Sequence, residues 1–123
     1  MEEILKSIKK MIGFEDNYTH FDPDLVIFIN SEFATLFQAG VGPTDKAFRI
    51  SQDGGETWED FFEGKTNLES VKEYIYLKAK IVFDPPQSGF VMDAYKAKAE
   101  ELLWRLNIED DPGYKQNQNE EGD

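Results

Sequence analysis

A chain of 123 residues and 14.2 kDa has room for one domain. Its net charge of −12, from 13 Lys+Arg against 25 Asp+Glu, repels phosphate backbones and argues against non-specific nucleic-acid binding. Zero cysteines exclude disulfides, thiolate zinc sites and a cysteine nucleophile, and fit a chain made in a reducing cytosol.

In chain order, the opening MEEILKSIKKMIGF lacks the basic region and continuous apolar run of a signal peptide. Ile4, Leu5, Ile8, Met11 and Ile12 instead share one helical face, and Gly13 follows as a C′ stop. The next loop holds the only histidine, His20, expected at the surface. Asp22-Pro23 reads as N-cap and N1 of a second helix, with Phe21 and Val26 at the staple positions. That helix is expected to run to about Gln38, burying Val26, Ile29, Phe33, Leu36 and Phe37, and to end at Gly40-Val41-Gly42-Pro43.

Phe48 to Ile50 alternates like a short strand. The following Ser51–Trp58, SQDGGETW, resembles the Asp-box hairpin of sialidases and other β-propellers. A propeller needs at least about four blades, and the motif occurs here once. It is therefore read as a tight turn, with the Asp53 carboxylate accepting backbone N–H groups and Trp58 folded onto the core. Thr57 to Phe62 fits either a second short strand or one helical turn capped by Thr57.

Thr66-Asn67-Leu68-Glu69 forms a capping box for a third long helix. Leu68, Val71, Ile75 and Val82 are assigned to its core face, with Tyr74, Leu77 and Ile81 on an adjoining row. Pro85-Pro86 ends it near Asp84, and Ser88 caps the last helix, from about Gly89 to Leu106. There Val91, Tyr95, Leu102, Leu103 and Leu106 are placed inward and Trp104 on the flank, and the last two helices are expected to pair antiparallel. The expected architecture is mainly α: four helices over residues 1–108, with a small β-hairpin or turn inserted between the second and third. Residues 109–123 carry six acids, one lysine and one aromatic, too little apolar surface to offset ordering, so a disordered acidic tail is expected.

Reactive constellations are missing from the pattern. No nucleophile, acid–base pair or phosphate-binding glycine loop can be assembled, so no enzyme, cofactor or metal is expected. The acidic pairs Asp22/Asp24, Asp53/Glu56 and Asp110/Asp111 lack the spacing of a calcium loop. Lys72, Lys78 and Lys80 read as a solvated face. Aromatic residues make up 14% of the chain, many for a small domain, so some rings are expected to meet another protein.

The blocks VKEYIYLK (Val71–Lys78), FDPP (Phe83–Pro86) and LWRLN (Leu103–Asn107) resemble the head-tail connector, or adaptor, family of siphophage-type phages and prophages. Phe21–Leu25, Ile29-Asn30, the Gly-Val-Gly-Pro at 40–43 and the Phe-Arg-Ile before Glu-Thr-Trp are similar too. The resemblance spans roughly Phe21 to Ile108. It implies a structural virion protein: a helical subunit, commonly one of twelve in a ring beneath the portal, extending the DNA channel and carrying the tail or a stopper protein. No active site or cofactor is implied. An acidic subunit suits a conduit through which DNA slides without being gripped. Trp58, Phe61 and Phe62 are assigned to a subunit contact, and Tyr114 to a tail segment that orders on the portal. The competing reading is a small acidic inhibitor or antitoxin-like protein that mimics nucleic acid.

Overall fold

The first helix, α1 (Ile4–Met11), forms along the ridge that the spacing marks: Ile4, Leu5, Ile8 and the following Ile12 are all buried. It stops in a Schellman motif, the Gly13 N–H donating to the Lys10 carbonyl at 3.2 Å and the Phe14 N–H to that of Lys9 at 2.8 Å. Met11 faces outward, and Ser7 and Lys9 complete the inner side instead. The Lys9 ammonium donates to the Asp16 carbonyl at 3.0 Å and lies 3.0 Å from Oδ1 of Asp22. The computed structural model describes residues 2–42, 46–62 and 68–109.

Asp22 is the first residue of α2 (Asp22–Gln38) rather than its cap, and Phe21 takes the cap position with no side-chain hydrogen bond. The reason is the buried cation: Asp22 turns its carboxylate to Lys9 instead of to the helix N–H groups. Phe21 stacks on Phe14, ring centroids 5.8 Å apart, in place of the expected staple. Leu25, Val26, Ile29, Phe33 and Leu36 enter the core, while Phe37 is only half-buried. A second Schellman closure ends α2, the Val41 N–H donating to the Leu36 carbonyl at 2.8 Å across Gly40, whose φ is +84°.

No β-hairpin follows among the described residues. Asn30 of α2 pairs with Ile50 as a strand would: its amide donates to the Ile50 carbonyl at 3.0 Å and its carbonyl accepts the Ile50 N–H at 2.7 Å. With both main-chain groups of Ile50 satisfied by a side chain, no partner strand is needed at that residue. The turn closes through the Gly54 N–H to the Ser51 carbonyl at 3.0 Å. Glu56, not Asp53, braces it, both carboxylate oxygens accepting the Ser51 N–H at 3.0 Å. The single bridge in this region is antiparallel, Glu3 to Thr57, flanked by the Ile4 N–H on the Glu56 carbonyl at 2.9 Å.

After it comes the helical alternative, the short α3 (Trp58–Phe62). A reciprocal cap starts it: the Thr57 N–H donates to Asp60 Oδ2 at 2.9 Å, and the Asp60 N–H to Thr57 Oγ1 at 3.3 Å. Five helices therefore stand among the described residues where four were expected. The expected Thr66 cap lies outside them. In α4 (Leu68–Phe83), Val71, Tyr74, Ile75, Leu77 and Ala79 are buried. Val82, assigned to the core face, is instead 58% exposed, while Phe83 beside it meets Phe28 edge-on at 5.5 Å.

Ser88 caps α5 (Gly89–Glu109) as expected, Oγ accepting the Val91 N–H at 3.4 Å. The helix outlasts the expected Leu106 by three residues. It packs chiefly on α4, running antiparallel, with Ala99, Leu102 and Leu106 buried and Val91, Tyr95 and Leu103 half-buried. The core itself is centred on rings: Phe33 lies 4.8 Å from Phe61 and 5.3 Å from Phe48, and Phe61 lies 5.0 Å from Phe62.

Candidate interaction surfaces

Trp58, Phe61 and Phe62 are all buried inside the subunit. The Trp58 indole N–H donates to Ser7 Oγ at 3.0 Å, and Lys72 Nζ stands 5.7 Å from the centre of its ring. The three residues come together in one cluster, as their spacing implies, but the cluster faces α1 and α2 of the same chain. What α3 turns outward is polar, Glu59 and Asp60. Tyr114 lies outside the described residues.

The exposed rings are elsewhere. Phe90 is 84% and Trp104 64% exposed, both on α5. The sequence holds a signal for this: Phe90, Ala97 and Trp104 recur every seven residues, off the line of Ala99, Leu102 and Leu106 that meets α4. A smaller aromatic knob forms in the loop after α1, where Tyr18 lies 5.6 Å from Phe14 and His20 meets Phe21 edge-on at 4.8 Å. His20 is exposed there.

Two grooves also open among the described residues. One, of about 290 Å³, runs between α2 and the following segment, with Val26, Ile27, Ala34, Arg49 and Gln52 among its walls. Ile27 is 66% exposed on its lip. The other, about 260 Å³, lies between α4 and α5 and is lined by Tyr74, Lys78, Ile81, Lys96, Glu100 and neighbours. Beside it, the Tyr74 hydroxyl donates to Glu32 Oε2 at 3.0 Å, and Lys78 Nζ stands 4.0 Å from Oε1. Burial pushes the Glu32 carboxyl up, with the Lys78 charge and the Tyr74 hydrogen bond opposing it. Tyr74 is raised as well, by burial first and then by the Glu32 charge. The cluster fastens α2 to α4, Glu32 of α2 meeting both Tyr74 and Lys78 of α4.

The basic residues of α4 are engaged rather than loosely solvated. Lys72 pairs with Glu2 at 3.1 Å and Lys80 with Asp84 at 2.6 Å. Of the acidic pairs, Asp22 serves Lys9 and Glu56 serves Ser51, while Asp110 and Asp111 lie outside the described residues. Among the described residues no group of three or more His, Cys, Asp or Glu is placed to hold a metal ion, and no helix is long and apolar enough to cross a membrane. Sequence reasoning missed Lys9 and Asn30, both polar positions on apolar faces, which periodicity alone treats as interruptions.

A family model described as phage connector protein matches residues 4–113, from the start of α1 to beyond the end of α5. No curated protein and no solved structure matches the chain.

Proposed function

Because the chain belongs to the phage connector protein family, we propose that it is a structural subunit of the head–tail junction, without catalytic chemistry or cofactor. Copies form a ring, of twelve by the pattern of such connectors. One face meets the portal and the other a stopper or tail protein, and the ring's bore continues the DNA channel in the virion. The observation that carries this reading is the family match, which takes in every helix described.

The physical chemistry supports it. Exposed Phe90 and Trp104 are costly on a free subunit's surface and suited to the interior of an assembly. The net charge of −12 gives DNA nothing to hold, so a duplex passing through an acidic bore is repelled from the wall. The proposed division is a helical unit over residues 1–108 and an acidic tail over 109–123 that docks on the portal around Tyr114. The segment 58–62 is proposed to lie near a subunit contact through Glu59 and Asp60, its rings remaining inside.

Purified chain mixed with portal particles and followed by light scattering and electron microscopy tests the reading. Rings that cap the portal are the expected result. A monomer that leaves the portal unchanged at every concentration overturns it, and a small one-to-one complex with some other protein favours the inhibitor reading. Removing residues 109–123 is expected to impair portal capping and to leave the helical circular dichroism intact.

A further inference from the structure

The outer flank of α5 and the groove on α2 fit each other. On α5, Phe90, Ala94, Ala97, Glu101 and Trp104 are all exposed and lie along one line. From Phe90 to Trp104 this line is about 21 Å long, and α2 is about 25 Å long. On α2, Ile27, Ser31, Ala34 and Gln38 form the matching line, with small residues at its middle and an apolar groove beside it.

The charges are complementary as well. Arg49, on the groove wall, makes no ion pair among the described residues, and the flank of α5 bears Asp93 together with Glu101, whose carboxylate lies 3.7 Å from its own Arg105. A guanidinium over an indole face is itself attractive. The chain cannot make this contact with itself. Phe28 and Glu32 of α2 point to α4, on which α5 lies, so the groove opens on the other side. Asn107 further ties α5 to the far end of α2, donating to the Ala39 carbonyl at 2.5 Å.

We propose that the α5 flank of one copy, led by Trp104, seats in the α2 groove of a second copy, forming the head-to-tail contact of the assembly. Two different patches of one surface then meet, the arrangement that closes into a ring when the rotation allows. This inference rests on the ring reading above and adds to it the two faces that meet.

Because the chain has no cysteine, introduced thiols report the contact without background. Ser31→Cys and Ala97→Cys chains, mixed and treated with an oxidant or a short bis-maleimide, are expected to give a covalent heterodimer. A chain carrying both substitutions gives a ladder, and neither single variant links to itself. Trp104→Ala and Arg49→Glu are each expected to raise the midpoint concentration for assembly about tenfold or more with unchanged helical signal. Rings that form in light scattering while positions 31 and 97 fail to link overturn this contact and leave the connector reading standing. So does Ala97→Cys linking to itself, which marks α5 against α5. A chain that stays monomeric with and without portal overturns both.

Discussion

Asn30→Ala removes the two hydrogen bonds by which α2 holds Ile50, at 2.7 and 3.0 Å. Asn30 and Ile50 are both buried, so the Ile50 N–H and carbonyl lose their partners in a place that water reaches only from the groove side. Each unsatisfied buried group costs about 1–3 kcal/mol, and partial hydration through the groove brings the pair to roughly 2–4 kcal/mol. Urea unfolding read by circular dichroism measures the loss as a lower midpoint at unchanged slope. Hydrogen exchange at the Ile50 amide localises it, the protected amide becoming fast. Asn30→Asp keeps an acceptor for the Ile50 N–H but sets a carboxylate oxygen against the carbonyl, so it restores protection of the amide only in part. A loss under about 1 kcal/mol with the Ile50 amide still protected would refute the idea that a side chain replaces the missing strand.

Leu102→Ala and Trp104→Ala separate the two faces of α5. The first empties a buried site and should cost about 2–5 kcal/mol, and the second, on a residue 64% exposed, should stay within about 0.5 kcal/mol in monomer unfolding. Gly54 adopts φ +69°, and a Cβ there would fall 2.6 Å from Leu5 Cδ2, so Gly54→Ala should cost roughly 1–3 kcal/mol by the same urea assay. Glu32 has its carboxyl raised above the ordinary 4.5 by burial, so its neutral form suits the fold. Its contribution is complete below pH 4.5 and is lost as pH rises through the raised value. Relative to Glu32→Gln, the natural chain should therefore lose stability as pH climbs through that window, and a relative gain would show that Lys78 outweighs desolvation.

The helices were largely legible because their signals are local. Apolar spacing marked α1 and α2, Gly13 and Gly40 marked their ends, and Pro85-Pro86 and Ser88 marked the break between α4 and α5. What was illegible depends on partners far apart in sequence. Asp22 is a good cap by type, yet a buried ammonium thirteen residues earlier outbids the helix N–H groups. Phe48–Ile50 alternates like a strand, and only Asn30 of α2 reveals that it needs no sister strand. The candidate surface shows the same limit. Trp58, Phe61 and Phe62 and the pair Phe90 and Trp104 are alike in composition, and only the tertiary packing separates buried rings from exposed ones.

The bond between the start of the chain and its middle orders events during synthesis. Leu5 lies against Gly54, Ser7 accepts from Trp58, and Glu3 bridges Thr57, so α1 is secured by residues translated some fifty positions later. An isolated helix of eight residues is marginal in water. During synthesis α1 must therefore wait, part of its apolar ridge uncovered, until α3 has emerged, and a ribosome stalled before Trp58 would carry a nascent chain with that part of the ridge open to chaperones.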